Sequence, residues 1–212
     1  YDVVFSPRRA NFDDLQRIGA RVIEYLPFAY DEATHVGGTY RGQDDLAVDV
    51  AFVGGADGDR IPFFRALVDA GFTVSLFGGY WARDPMLAPH ARGIVSPVAL
   101  ISHAQAAKMQ VVLARRANRD GHVMRSYEAA ASRSCLLVED TDDHRQMFGE
   151  EFQAVCYFRT PTELVNKAAL LRDQPVLRVK MATAAFDRIV TGGRNTYANR
   201  LATILQTMSG LP

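Results

Sequence analysis

Short apolar runs alternate with helical segments along most of this chain, and this alternation limits the folds open to it. Residues 48–53 and 72–77 are runs of strand-forming residues, and residues 59–70 between them have helical periodicity. Strands and helices that alternate at this spacing form β-α-β units, whose parallel strands are covered by helices on both faces. Because such crossovers are right-handed, the pattern predicts an α/β fold, a doubly wound parallel sheet of the Rossmann-like type.

The same periodicity assigns most of the remaining chain. The other predicted strands are residues 2–5, 21–25, 110–113, 135–138 and 154–158. The other predicted helices are residues 11–18, 96–108, 124–132, 143–148, 161–172, 175–190 and 197–208. Asn11 is the expected N-cap of the first helix, since its side chain can accept from a helical amide. A polar, aromatic segment at 27–45 interrupts the pattern and is interpreted as a linker.

Charge and cysteine content exclude several classes of protein. Lys and Arg together number 24 and so do Asp and Glu, so the chain has no net charge to attract nucleic acid or an anionic membrane. No apolar run of about 20 residues predicts a membrane span, and no signal peptide is visible, so a cytoplasmic location is expected. Cys135 and Cys156 both lie in strand-like runs, which favours buried reduced thiols over a disulfide.

Glycines follow two of the predicted strands at the edge where ligands bind in open parallel sheets. Gly54 and Gly55 end one strand, and Gly78 and Gly79 end the next. Glycine lets the backbone approach a ligand closely, although it also suits an ordinary strand-to-helix turn. Arg60 begins the following helix, where its guanidinium and the free amides could hold a diphosphate. A solvated surface role for Arg60 remains open.

A basic loop precedes the helix at 124–132. Residues 115–122 contain three arginines and His122, and Gly121 and Met124 flank the start of the helix, which together suit an anion site. A solvated basic loop is the alternative. Within the helix, Arg125 and Glu128 are one turn apart and so close in space. Three alanines follow at 129–131 and indicate that this helix is closely packed. Close packing argues against an exposed ion pair of Arg125 and Glu128 that has no function.

Several common enzyme motifs are absent from the sequence. There is no phosphate-binding P-loop, and residues 54–58 do not satisfy the dinucleotide fingerprint. No nucleophile elbow and no zinc-protease histidine pair occurs. Asp140 and Asp142 could form an Asp-x-Asp metal site, but capping of the helix at 143–148 is the favoured interpretation.

The segment Arg-Ser-Tyr-Glu-Ala-Ala-Ala at 125–131, followed by the strand at 135–138, resembles the donor domain of group 1 glycosyltransferases with the GT-B fold. The branch that includes the spore-maturation CgeB-like proteins is the most similar. Further points of resemblance cover nearly the whole chain. They are residues 20–27, residues 49–54 with Arg60, residues 76–78 with Trp81, and a closing motif at 194–197 with Arg200.

The resemblance implies roles for particular residues. Glu128 would bind the ribose hydroxyls of a nucleotide sugar, because a carboxylate accepts two hydrogen bonds from a vicinal diol. Asp120 stands eight positions earlier, where the family has a longer acid that contacts the transferred sugar. The diphosphate would lie between Arg60 with the Gly54–Gly55 turn and the amides of residues 121–124. The base would contact loops near Gly78 and residues 94–97, and no metal would be required.

Three positions depart from the family pattern. Arg133 stands where glycine is usual, Cys135 where proline is common, and Asn195 where histidine is usual. These differences weaken the assignment of the site more than that of the fold.

The resemblance also implies a domain division and a function. Residues 1–35 would be a remnant of the N-terminal acceptor domain, 36–195 the nucleotide-sugar-binding domain and 196–212 a crossover helix. The rest of the acceptor domain would be missing, so the chain would bind donor but transfer sugar poorly to its unknown acceptor, a saccharide, lipid or protein. A non-catalytic nucleotide-binding or interaction module, and a metal-dependent transferase using Asp140 and Asp142, are the open alternatives.

Overall fold

The computed structural model describes residues 2–36 and 48–210, and these contain two parallel sheets. A small sheet pairs β1 (Val3–Ser6) with β2 (Val22–Tyr25). The large sheet has six strands in the order β5-β4-β3-β6-β7-β8, all parallel. These strands are β3 (Val50–Val53), β4 (Val74–Phe77), β5 (Ala91–Gly93), β6 (Met109–Val112), β7 (Leu136–Glu139) and β8 (Cys156–Phe158). The predicted doubly wound, Rossmann-like fold class is confirmed.

Helices cover both faces of the large sheet. The described residues contain α1 (Phe12–Arg17), α2 (Glu32–His35), α3 (Ile61–Asp69), α4 (Pro97–Ala106), α5 (Met124–Ala131), α6 (Asp142–Phe148), α7 (Pro161–Arg172), α8 (Pro175–Phe186) and α9 (Tyr197–Ser209). Of these, α1 packs on β2 of the small sheet. Alternate strand residues supply two cores: Val111 packs with α3 and α7 in one, and Val112 packs with α5 in the other. This alternation follows from the two-residue period of a strand. Cys135 and Cys156 are buried and free, as the sequence predicted.

The structure corrects several local predictions. Strand β5 was not predicted, because its three residues Ala91–Gly93 contain an exposed arginine and form no apolar run. The segment interpreted as a linker contains α2, and its residues 37–45 lie outside the described residues. The helix predicted at 175–190 ends at Phe186 and continues as a π-helical turn, Asp187–Thr191. Asn11 precedes α1 but its side chain makes no capping hydrogen bond.

The backbone at Arg133 accounts for the glycine that the resemblance implies at this position. Arg133 follows α5 with φ of 60°, in the left-handed region where a side chain is unfavourable. Its guanidinium carbon lies 3.5 Å from the ring centroid of Phe186, a cation–π contact that offsets part of the backbone cost. The departure from glycine is therefore compatible with the fold.

This geometry predicts how two substitutions of Arg133 will differ. Both Arg133→Gly and Arg133→Ala remove the contact with Phe186, but only glycine removes the left-handed strain. We expect the glycine variant to be the more stable of the two by about 1 kcal/mol. Urea denaturation of both variants measures the difference, and equal stabilities would show that the left-handed backbone carries no cost here.

Candidate functional site

The strand order reverses between β3 and β6, so a crevice opens at the carboxyl ends of these strands. Glycines bring the ends of β3, β4 and β5 close together. A Cβ on Gly78, where φ is +130°, would lie 2.5 Å from the carbonyl oxygen of Gly54. The Gly78 amide donates to the Gly93 carbonyl at 2.8 Å, and the Trp81 indole donates to the Gly54 carbonyl at 2.8 Å. Gly54 and Gly78 thus shape the crevice wall.

Gly55 and Gly79 lie beside this wall and have more room. The Gly79 carbonyl accepts from the amide of Ala56 at 2.9 Å, and a Cβ on Gly79 would meet no atom within 4 Å. A Cβ on Gly55 would lie 3.6 Å from the Gly79 carbonyl oxygen, an ordinary contact. These two glycines leave backbone accessible without being sterically required.

Two adjoining pockets form one cleft at this edge of the sheet. The outer pocket, of about 150 Å³, lies against Gly54, Gly78 and Gly93 and the chain at Ile94. The inner pocket is much smaller, about 20 Å³, and lies between the sheet, α4 and α5, where Glu128 lines it. Both pockets are also lined by Val53, Leu100 and Arg125, so these residues join them. Of the residues singled out in the sequence, the structure therefore brings Gly54, Gly78, Arg125 and Glu128 together.

Glu128 is buried in the inner pocket, where its carboxylate lies close to Arg125 and His35. Arg125 forms an ion pair with Oε2, and Nε2 of His35 lies 3.7 Å from Oε1. Burial lowers the pKa of both His35 and Arg125, so we expect His35 to be neutral at pH 7. The alanines after Glu128 are buried, as predicted, and fix the position of α5.

Arg60 supports the turn between β3 and α3. Its Nη1 donates to the Gly55 carbonyl at 3.0 Å, and its guanidinium carbon lies 5.5 Å from the Phe52 ring centroid. Asp57 Oδ1 already accepts from the amides of Asp59 and Arg60, at 3.1 and 3.0 Å. Burial is the main cause of the lowered pKa of Arg60. Arg60 is thus largely enclosed rather than solvated, and it does not line either pocket of the cleft.

The basic loop and Asp120 are engaged with other parts of the protein. Asp120 forms an ion pair with Arg8 and its side chain is 3% exposed. Arg116 lies 3.7 Å from Glu139, whose Oε2 accepts from the Ala114 amide at 2.9 Å. In this structure Asp120 lies outside the cleft that contains Glu128.

Gly121 and His122 also lie outside that cleft. A Cβ on Gly121 would come within 2.4 Å of the Asp143 carboxylate. His122 is buried, and its Nδ1 lies 2.9 Å from Oδ2 of the same carboxylate. Met124 is partly exposed at the start of α5, where its sulfur accepts from the Tyr197 hydroxyl at 3.0 Å. Gly121 and His122 therefore pack on α6, and Met124 is directed toward α9.

Among the cleft residues that the sequence-based prediction did not include are His35 and Gln110. Gln110 is 2% exposed in β6, and its Oε1 has no hydrogen-bond partner among the described residues. A signal for Gln110 was present, since it is the polar member of an otherwise apolar strand, Met109–Val112. His35 carries no comparable signal, because it lies in a polar segment.

Asp140, one of the two aspartates of the possible metal site, is paired with arginines. Both carboxylate oxygens of Asp140 accept from Arg145, at 2.7 and 2.9 Å, and Arg159 lies 3.0 Å away. Thr141 caps α6 by accepting from the His144 amide at 3.1 Å. The predicted capping of this helix is therefore performed by Thr141 and not by Asp140 or Asp142. Within residues 2–36 and 48–210, no three His, Cys, Asp or Glu side chains are grouped to hold a metal. No helix in the same ranges is long and apolar enough to cross a membrane.

The six-stranded parallel sheet flanked by helices matches the fold of GT-B glycosyltransferases. A family model described as glycosyl transferase-like matches residues 60–206, more than half of the chain. The chain therefore belongs to this glycosyl transferase-like family. No curated protein matches it significantly.

Solved structures of low sequence identity share the fold. The Anabaena HepE protein, solved with UDP and glucose, is 13% identical with a TM-score of 0.72; the match covers 99% of this chain and 64% of that one. Sucrose-phosphate synthase from Thermosynechococcus elongatus is 13% identical with a TM-score of 0.70, covering 98% of this chain and 58% of that one. A T4 phage glucosyltransferase solved with UDP-glucose is 18% identical with a TM-score of 0.67, covering 95% and 61%. The chain thus spans less than two thirds of each of these proteins.

Proposed function

We propose that this chain is the donor-binding portion of a glycosyltransferase that takes a glycosyl unit from a nucleoside-diphosphate sugar. The observation that carries the proposal is Glu128, held on α5 inside a cleft at the switch point of the sheet. Two structures of the same fold were solved with UDP and glucose or with UDP-glucose. A nucleotide in the same crevice is consistent with the general location of ligands in such sheets.

The cleft suggests how the donor would be held. The Glu128 carboxylate would accept a hydrogen bond from a ribose hydroxyl, a role for which its charged oxygens suit it. Arg125 lines both pockets, so it could leave Glu128 and neutralise the diphosphate when the donor enters. The outer pocket, with Gly78, Ile94 and Leu100, would take the base. Positive side chains would then stabilise the leaving diphosphate without a metal.

The finer assignments are part of this proposal. We place the chain in the CgeB-like branch, as the C-terminal half of a two-domain enzyme, with residues 1–35 belonging to the acceptor domain. The small sheet of β1 and β2 is separate from the large one, which supports that division. The acceptor is a saccharide, lipid or protein bound mainly by the remainder of the first domain, and we propose a cytoplasmic location.

One observation favours the alternative of a non-catalytic nucleotide-binding module. Asp120, at the position of the family's sugar-contacting acid, is buried in its pair with Arg8. Sugar turnover by the longer parent protein discriminates between the two functions. Transfer from any nucleotide sugar supports the enzyme, and a parent that binds donor without turnover supports the module.

Calorimetric titration with UDP, GDP, ADP and TDP tests the donor site. We expect one diphosphate to bind, and Glu128→Ala to weaken it about 30-fold because a charge-assisted hydrogen bond is lost. Arg60→Ala should weaken it about tenfold, by loosening the Gly54–Gly55 turn. Glu150→Ala is the matched control, since the Glu150 side chain is 82% exposed. Unchanged affinity in both Glu128→Ala and Arg60→Ala would exclude the proposed site.

A further inference from the structure

Gln110 is a buried polar side chain that the fold itself does not need. It lies in the middle of the large sheet, where its neighbours Met109, Val111 and Val112 are buried and apolar. Its backbone amide donates to the Cys135 carbonyl at 2.8 Å, so the sheet is satisfied without the side chain. An apolar residue of the same size would fill this position at no loss of hydrogen bonding.

The side-chain oxygen of Gln110 receives no hydrogen bond. Oε1 is inaccessible to solvent and has no partner among the described residues. A buried carbonyl without a donor costs free energy, so native proteins retain few of them, and those retained call for an explanation. Gln110 lines the inner pocket together with Glu128, and this location supplies the explanation.

Other polar groups of the inner pocket are already occupied. The Ser132 hydroxyl donates to the Ala129 carbonyl at 3.0 Å, and Nδ1 of His35 lies 2.7 Å from the Asp31 carbonyl oxygen. Glu128 is ion-paired with Arg125, but its Oε2, like Oε1 of Gln110, is buried without a hydrogen-bond partner among the described residues. Once Arg125 turns to the diphosphate, Gln110 and Glu128 offer acceptor oxygens from two sides, from the sheet and from α5 respectively. Two acceptors facing one small pocket suit a ligand with two neighbouring hydroxyl donors.

We infer that Gln110 is a specificity residue of the donor site: its side-chain carbonyl accepts from one ribose hydroxyl of the nucleotide, while Glu128 accepts from the other. This inference rests on the proposed function and extends it to the choice of ribose over deoxyribose. A site built to accept from a hydroxyl discriminates against the analogue that lacks it, because its buried acceptor is then left unpaired. Gln110 itself touches no reacting atom and acts on recognition alone.

The test is calorimetric titration of UDP, 2′-deoxy-UDP and 3′-deoxy-UDP into the wild-type chain and Gln110→Leu. Wild type should bind each deoxy analogue about tenfold more weakly than UDP, as expected for one lost hydrogen bond to a buried acceptor. Gln110→Leu should bind UDP about tenfold more weakly, become indifferent to the loss of one hydroxyl, and remain sensitive to the loss of the other. Its melting temperature should be equal to or above that of wild type, because an unpaired buried oxygen is removed.

Two controls separate this inference from the proposed function. Gln146→Leu changes an exposed glutamine on α6 and should leave all three affinities unchanged. Gln110→Met repeats the test with an unbranched side chain should leucine fit poorly in the strand. If Glu128→Ala loses UDP but both Gln110 variants keep both hydroxyl preferences, the inference fails and the donor site stands. If wild type binds GDP or ADP instead of UDP, the deoxy analogues of that diphosphate take the place of those of UDP. If wild type binds none of UDP, GDP, ADP and TDP, the donor site and this inference fail together.

Discussion

Replacing Arg200 by alanine should lower the free energy of unfolding by about 3 to 4 kcal/mol, the largest single effect that we expect from a side chain outside the cleft. Arg200, on α9, donates to the carbonyl oxygens of Pro27, Phe28 and Arg194 and to Oδ1 of Asn195, at 2.7 to 3.2 Å. These partners lie at opposite ends of the chain. Arg200 therefore joins the segment before α2 to the segment before α9.

Neighbouring contacts make this junction specific for arginine. The Tyr30 amide donates to the Asn195 carbonyl at 3.1 Å, and the Tyr197 amide donates to the Tyr30 carbonyl at 3.2 Å. Asn195 thus takes part in the junction, although the resemblance implies histidine at its position. A lysine at position 200 has no planar set of five donors and cannot reach the same acceptors together. We expect Arg200→Lys to recover less than half of the loss.

Urea denaturation measures both Arg200 variants against Arg194→Ala. Arg194 is an exposed arginine six residues earlier, and loss of its side chain should change stability by less than about 0.5 kcal/mol. A loss below about 1 kcal/mol in Arg200→Ala would mean that water replaces the guanidinium at these carbonyls. The junction would then contribute little to the fold.

Most of the fold could be predicted because its strands and helices have local patterns of apolar and capping residues in the sequence. Buried strands such as residues 50–53 and 109–112 are short apolar runs, and the helices between them have clear starts, such as Pro161 after Thr160. Strand β5 lacks this signal, since it pairs only at the edge of the sheet and its Arg92 is exposed. The π-helical turn after Phe186 depends on tertiary packing of Ile189 and has no sequence pattern.

The site was harder to predict because its side chains form ion pairs and hydrogen bonds with residues that are distant in sequence. The proximity of Arg125 and Glu128 follows from helical spacing and is confirmed. The pairing of Asp120 with Arg8 joins residues 112 positions apart, and no local pattern encodes it. Likewise, the contact of His122 with Asp143 directs the ring toward α6 rather than toward the cleft. The proposed roles of Asp120, Gly121 and His122 in donor binding remain predictions.

His144 is a buried histidine whose two hydrogen bonds fit its neutral form. Its Nδ1 donates to the Glu139 carbonyl at 2.7 Å, so Nε2 accepts from the Ser126 hydroxyl at 2.8 Å. The Ser126 oxygen in turn accepts from the Val123 amide at 3.1 Å, at the start of α5. Complete burial lowers the pKa of His144 from 6.5 to about 4. This network joins β7, α6 and the helix that carries Glu128.

We expect this group to make the protein sensitive to acid. As the pH falls below 6.5 the unfolded chain takes up a proton that the folded protein resists, so stability is lost progressively toward pH 4. The loss from this one group should be about 3 kcal/mol between pH 7.5 and pH 4. Burial also lowers the pKa of His35, His103 and His122, which adds losses in the same direction. The effect of His144 must therefore be isolated by substitution.

The comparison is urea denaturation of wild type and His144→Asn at pH 7.5 and at pH 4. The asparagine amide can donate to the Glu139 carbonyl but does not titrate, so the variant should be less stable at pH 7.5 and lose about 3 kcal/mol less on acidification. His90→Asn, in the connection before β5, serves as the control for replacing a histidine by asparagine elsewhere in the chain. If His144→Asn and wild type lose the same free energy between the two pH values, His144 is not the group that resists protonation. Acid sensitivity would then come from other groups, among them the remaining buried histidines and paired aspartates such as Asp140, whose pKa is lowered.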